Sequence, residues 1–173
     1  MTTYRCQHNW LRPDMESARN CDGTHGEVPA VMPTLLPLDL LDMVPDGLYA
    51  VRPDDTVPWV FLRVARPKRG TWAGTTKIQT QHADRYSIAM IVLRNKTLRW
   101  YQSQCVIEPS LLLLMADSQW AAIMYGQTIG RCCRCNIQLT DEDSRKYGIG
   151  PECVKYWPWV RERVEDSLEA GVL

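Results

Sequence analysis

The stretch Gly130–Cys153, GRCCRCNIQLTDEDSRKYGIGPEC, holds four of the seven cysteines of this 173-residue chain. Cys132 and Cys135 form a C-x2-C pair, the spacing of a zinc knuckle in which two thiolates point at one centre. Cys153 follows 17 intervening residues later, directly after Gly-Ile-Gly-Pro at 148–151. The proline suits the first position of a helix, and a thiol in that first turn ionises more readily. The pattern predicts a treble-clef-like zinc module with Cys132, Cys135 and Cys153 as ligands.

The sequence does not identify the fourth ligand of this predicted site. A structural zinc site normally has four ligands, and the stretch supplies three at suitable positions. Cys133 is expected to point away from the centre, because it directly follows a ligand. The fourth position could be taken by water or by one of seven side chains: Asp141, Asp143, Cys133, Cys6, His8, Cys21 and His25. The last four could instead form a separate site, and thiols buried without metal are the simpler alternative.

The same stretch closely resembles a small zinc-finger-like module of uncharacterised function. That module recurs in proteins of actinobacteria and their phages, with the pattern G-x-C-x-x-C-G-R-x-L-T-x-x-x-S-x-x-x-G-I-G-P-x-C. The matching residues are Gly130, Cys132, Cys135, Leu139, Thr140, Ser144, Gly148, Ile149, Gly150, Pro151 and Cys153. Asn136 and Ile137 replace the usual Gly-Arg, and because Asn tolerates left-handed backbone angles the knuckle is retained.

The detailed resemblance covers about 24 residues, with a looser similarity upstream in PDGLYAVR, GTWAG and YGQTIG. It implies a metal site and a phage or actinobacterial source. It implies no activity, because the family itself has none assigned.

The chain before this stretch is rich in short β-type runs. GLYAVR, WVFLRVAR, KIQTQ, SIAMIVL and LRWYQSQCVI are separated by turn sequences, which predicts a meander of four or five antiparallel strands. Pro109 is expected to open a helix that continues to Tyr125, and Leu38–Val44 predicts one or two helical turns. The fold class is therefore α+β: a small antiparallel sheet with a covering helix, then the zinc module and a terminal helix.

Four regions are predicted along the chain. Residues 1–44 form an irregular N-terminal region and 45–126 an α+β domain with the meander and helix. Residues 127–157 form the zinc module, and 158–173 form a C-terminal helix that covers the core or docks on a partner. No N-terminal leader pattern and no apolar run of membrane-spanning length occurs, which favours a cytoplasmic protein, in the host cytoplasm if the chain is phage-encoded. In that compartment closely spaced cysteines favour metal over disulfide.

The formal net charge is zero, but it is unevenly distributed. From Asp46 to Glu108 there are ten Lys or Arg and five Asp or Glu, a net of about +5. The sequence PKRGTWAG places a Trp within a basic loop, which could contact phosphates and stack on a base. The candidate nucleic-acid-binding residues are Arg66, Lys68, Arg69, Trp72 and Lys77. Solvated charges that protect strand edges are the alternative interpretation.

The sequence carries none of the catalytic motifs sought. P-loop, G-x-G-x-x-G, H-E-x-x-H, G-x-S-x-G and deaminase patterns are missing, and no general base accompanies the cysteines. We therefore expect a non-enzymatic Zn²⁺-binding accessory protein. It would bind nucleic acid through a basic sheet face and the zinc module, or alternatively dock as a module or inhibitor on a host protein complex such as a polymerase or a defence nuclease. The sequence leaves the oligomeric state open.

Overall fold

The computed structural model describes residues 36–52, 56–82, 85–102 and 104–171, together with two short strands near the N-terminus. These are β1 (Tyr4–Arg5) and β2 (Leu11–Arg12), which pair antiparallel. The chain forms two compact units, residues 1–35 and 36–173. The N-terminal ligand candidates Cys6, His8, Cys21 and His25 lie outside the described residues. The boundaries proposed at 44, 126 and 157 remain predictions.

The second unit begins with a short helix that leads into the sheet. Helix α1 (Leu38–Met43) buries Leu41, and the following Pro45-Asp46 turn directs the chain into the first strand of the sheet. The turn is held by the Tyr49 hydroxyl, which donates to the carbonyl of Pro45 at 2.6 Å. The helical turns predicted for this segment are confirmed.

A five-stranded antiparallel meander forms the body of this unit, which confirms the predicted α+β class. The strands follow one another in the sheet in chain order. Alternating burial in the second strand, with Leu62 and Val64 inside and Arg63 outside, is what the period-2 pattern predicts. The first strand is buried along all five residues although it lies at an edge of the sheet. The strands are β3 (Gly47–Val51), β4 (Val60–Ala65), β5 (Thr76–His82), β6 (Arg85–Val92) and β7 (Leu98–Trp100).

Two consecutive helices follow the sheet, where the sequence predicted one. Helix α2 (Gln104–Ala116) begins five residues before Pro109, so the expectation that Pro109 opens the helix was wrong. Helix α3 (Ser118–Ile129) is separate, because Asp117 leaves helical geometry and its carboxylate accepts a hydrogen bond from the Trp120 N–H at 2.9 Å. Helix α3 packs against β3 and covers the sheet.

The C-terminal part contains three short helices: α4 (Glu142–Tyr147), α5 (Pro151–Val154) and α6 (Trp159–Glu169). Val160 and Val164 bury one face of α6 against the core, whereas Leu168 on the same face is 43% exposed. The terminal helix therefore covers the core, one of the two roles that the sequence left open. Among the helices of the described residues, none has the length and apolarity needed to cross a bilayer.

Candidate metal centre

The C-x2-C pair lies on a tight knuckle at the end of α3. Gly130 ends the helix in a left-handed conformation, with φ of 70°. The chain then turns back through two backbone hydrogen bonds, from the Cys132 N–H to the Ile137 carbonyl and from the Asn136 N–H to the Cys132 carbonyl, both 2.8 Å. Asn136 has φ of 64°, the left-handed angle predicted for it. The knuckle thus forms with Asn in place of glycine.

The third cysteine is brought back by α4 and α5. Gly148 ends α4 with φ of 70°, and Gly150 then leads into α5 with Pro151 at the start of the helix. Cys153 lies in the first turn, as the sequence predicted. One β-bridge, between Arg131 and Gln138, closes the knuckle, and the helix that carries Cys153 has four residues.

The structure gathers Cys132, Cys135 and Cys153 into one group, with all three Sγ atoms within 4.8 Å of one another. Tetrahedral zinc with Zn–S bonds of about 2.3 Å separates neighbouring sulfurs by about 3.8 Å, so a small contraction suffices to bind an ion. Cys132 and Cys153 are buried, whereas Cys135 is exposed. Three thiol donors at this spacing fit a thiophilic metal, and the group can bind one.

Hydrogen-bond donors around the cluster favour the thiolate form of Cys132. The Cys133 thiol donates to it and is the largest cause of a pKa lowered to about 4. Burial opposes this shift, and the backbone N–H groups of Gly150, Cys135 and Arg134 add to it. The Gly150 nitrogen lies 3.5 Å from the Cys132 Sγ. Burial raises the pKa of the Cys153 thiol to about 11, although the Arg134 Nη1 donates to its Sγ at 3.7 Å.

The described residues supply three ligands and no fourth. Cys133 is fully buried and lies outside the group, and its bond to Cys132 together with burial raises the pKa of its thiol. Asp141 caps α4 by accepting from the Ser144 N–H at 2.8 Å, and this bond lowers the pKa of its carboxyl. Asp143 is exposed on the same helix and is not part of the group.

The knuckle is joined directly to the edge of the sheet. The Cys133 carbonyl accepts a hydrogen bond from the Leu48 N–H of β3 at 2.7 Å, and the Cys133 N–H donates to the Gly148 carbonyl at 3.1 Å. Through these bonds Cys133 connects β3 to the loop after α4. Although it is not a ligand, Cys133 positions the cluster beside the outer edge of β3.

The predicted nucleic-acid contacts occupy the β4–β5 hairpin in two different environments. Lys68 and Arg69 are exposed, whereas Trp72 and Lys77 are half-buried. Arg66 is partly buried and fixed by several bonds. Its guanidinium donates to the carbonyls of Val44 and Leu41, both at 2.8 Å, and forms an ion pair with Asp46 at 2.7 Å.

An open cleft of about 570 Å³ lies beside this hairpin. Three cationic side chains, Arg66, Lys68 and Arg94, line it together with the carboxylate of Asp42. Arg94 is fixed by a hydrogen bond from its Nη2 to the Ala73 carbonyl at 2.9 Å. The Arg94 guanidinium lies against Gly74. This contact depends on the register of the paired strands, which the sequence alone does not give.

Residues 122–158 match a family described as "Family of unknown function (DUF6011)". The matched segment runs from the middle of α3 through the knuckle, α4 and α5, and it includes all three cysteines of the cluster. It covers about a fifth of the chain. No curated protein and no solved structure matches the chain.

Proposed function

We propose that this chain is a phage-encoded, non-enzymatic accessory protein that binds Zn²⁺ at Cys132, Cys135 and Cys153 and contacts nucleic acid. Zinc is the proposed ion because it is commonly held by such a C-x2-C knuckle with a third cysteine, and because thiolates favour thiophilic metals. The phage source rests on the sequence resemblance. The absence of catalytic motifs from the sequence supports a binding role over an enzymatic one.

The observation that carries the nucleic-acid proposal is the exposed basic tip of the β4–β5 hairpin. Within the described part of the chain, Lys68 and Arg69 have no carboxylate partner, so their charges are free to meet phosphates. Arg94 lines the adjoining cleft together with Lys68, and Trp72 offers a half-buried aromatic surface for a base. Arg66 supports the hairpin base and is left out of the test, because changing it disturbs α1.

The test is a gel shift of a single-stranded oligonucleotide at several salt concentrations. A Lys68→Gln, Arg69→Gln double variant removes two positive charges from the tip. On a single strand each lost phosphate contact lowers the magnitude of the slope of log K against log salt by about 0.7, so we expect a reduction of about 1.4. The matched control is Arg161→Gln, Arg163→Gln, which removes the same charge from exposed positions on α6, outside the zinc module. Absence of binding at low salt, or equal loss in both variants, rejects the proposal.

One further observation favours the alternative, a module or inhibitor that docks on a host protein complex. Helix α2 exposes Leu112 by 42% and Leu113 by 38%, beside a mainly apolar groove of about 240 Å³ that also contains Trp59 and Trp120. Aromatic and aliphatic side chains of this kind are frequent anchors in protein interfaces. If the gel shift is negative, a pull-down from host lysate with wild type and a Leu113→Glu variant tests this role. Capture of a polymerase or nuclease by wild type alone supports it, and equal capture by both rejects this groove as the site.

A further inference from the structure

A small cavity adjoins the metal cluster on the side that faces the sheet. It has a volume of about 190 Å³ and lies between the β3–β4 end of the sheet and the knuckle. Arg63, Tyr86, Arg134 and the exposed Cys135 line it. Pockets for drug-sized ligands enclose roughly 300–1,000 Å³, so this cavity suits a much smaller group.

Among the arginine and carboxylate side chains of the cavity wall, cations outnumber anions. Asp46 is the one carboxylate in its wall among the described residues, and it is already engaged by Arg66. The Arg66 Nη1 lies 2.7 Å from one Asp46 oxygen, and the Arg66 backbone N–H donates to the other at 3.1 Å. Arg63 and Arg134, the two arginines of the wall, therefore supply its positive charge.

Both of these arginines are held in place without a carboxylate partner in the described part of the chain. The Arg63 Cζ lies 5.3 Å from the ring centroid of Tyr86. The Arg134 Cζ lies 4.1 Å from the ring centroid of Tyr156, and its Nη1 contacts the Cys153 Sγ at 3.7 Å. A guanidinium stacked on a ring keeps N–H donors free at its edge, which matches the geometry of phosphate oxygens.

We propose that this cavity binds a phosphate group, either free or carried by a nucleotide, between Arg63 and Arg134. Phosphate fits because it is small and doubly charged near neutral pH, and because its oxygens accept hydrogen bonds from two sides at once. The metal cluster contributes by fixing the knuckle that carries Arg134. The inference rests on the proposed function only for the nucleotide as a source of the phosphate.

Calorimetric titration of the zinc-loaded full chain tests this site with inorganic phosphate, uridine monophosphate and uridine. We expect saturable binding of both phosphate compounds and none of uridine. If only inorganic phosphate binds, the site takes free phosphate and the nucleotide source is rejected. Arg63→Gln and Arg134→Gln should each weaken binding about tenfold or more, because each removes charge-assisted hydrogen bonds. The control is Arg99→Gln, an exposed arginine on β7 outside the cavity wall.

Zinc content and the unfolding midpoint are measured for each variant, so that loss of binding is not confused with loss of fold. Arg63 is at an exposed position of β4, so its replacement should leave the fold and the metal in place. If Arg134→Gln releases metal, phosphate binding by the Arg63→Gln variant tests the site. Absence of saturable phosphate binding at millimolar concentrations overturns the inference, as does equal weakening by the Arg99 variant.

The two proposals fail separately. Oligonucleotide binding that depends on Lys68 and Arg69, together with a negative phosphate titration, leaves the proposed function standing and removes the cavity site. Phosphate binding that depends on Arg63 and Arg134, without any gel shift, leaves the cavity site and removes the nucleic-acid role.

Discussion

At the scale of single residues, Asn136 has one role through its backbone and another through its side chain. It adopts the left-handed φ of 64° that closes the knuckle. Its side chain also connects two tyrosines, accepting from the Tyr125 hydroxyl at 2.9 Å and donating to the Tyr86 hydroxyl at 3.2 Å. These bonds attach the knuckle to α3 and to the sheet.

The two roles of Asn136 can be separated by a pair of substitutions. Asn136→Gly retains the left-handed angle and loses the side-chain bonds, which we expect to cost about 1–2 kcal/mol. Asn136→Ala loses the same bonds and adds the cost of a left-handed alanine, a further 1 kcal/mol or so. Urea unfolding of the zinc-loaded proteins measures the free energies. An alanine variant as stable as the glycine variant would contradict this explanation.

The sequence predicted the residues of the cluster better than their surroundings. Cys132, Cys135 and Cys153 follow from spacing, because a C-x2-C knuckle and a helix start are local features. The hydrogen-bond partners of Asn136 do not follow from spacing, because Tyr86 is 50 residues away and meets the knuckle only after the sheet forms. Arg134 was missed as well. Its position inside the C-x2-C pair was the available signal, but its contact with Tyr156 depends on α5.

At the scale of elements, helix α2 shows where local pattern and tertiary packing disagree. A proline inside a helix loses one hydrogen bond, so the sequence indicated that Pro109 begins the helix. The helix instead starts at Gln104, and Ile107, Leu111 and Leu114 of α2 are all buried in the core. Burial of these side chains offsets the lost hydrogen bond, an effect that periodicity alone does not show.

Helix α3 approaches the metal-binding segment so closely that only glycine fits. A Cβ atom added to Gly126 would lie 2.0 Å from the Gly148 carbonyl oxygen, and one added to Gly148 would lie 2.7 Å from the Ile123 carbonyl oxygen. Both glycines fall within residues 122–158, the segment that matches the family. The close approach places α3 and the loop before Cys153 in contact, and neighbouring sequence gives no sign of it.

Gly126→Ala should therefore destabilise the protein far more than helix propensity suggests. Alanine favours a helix by about 1 kcal/mol over glycine, but the clash is with backbone and should cost about 3 kcal/mol or more, giving a net loss of about 2 kcal/mol.

The control is Gly130→Ala, where φ is 70° and no atom of the described residues, apart from its chain neighbours, lies within 4 Å of the added Cβ, so about 1–2 kcal/mol of backbone strain is expected. Thermal and urea unfolding compare the two variants. A stabilised Gly126→Ala protein would show that the helix and loop do not approach in this way.

At the scale of the whole molecule, the metal cluster and the sheet form one connected structure. The Leu48–Cys133 hydrogen bond continues the sheet edge into the knuckle, and Trp157 contacts Gly47 so closely that a Cβ there would lie 2.6 Å from its ring. The meander and fold class were predictable because alternation and turn residues act locally. The attachment of the cluster to β3 was not, because it joins residues that are far apart in sequence.

The central claim is that three cysteines bind one metal ion, and metal content per chain tests it most directly. Alanine is placed singly at Cys132, Cys135 and Cys153, with Cys133→Ser as the control because serine keeps a hydrogen-bond donor beside Cys132, and zinc is measured by elemental mass spectrometry after removal of free metal. We predict about one zinc per chain in wild type and in the control, and loss of zinc in the three ligand variants. Unchanged zinc in the ligand variants, or no thiol-bound metal in wild type, would contradict the account.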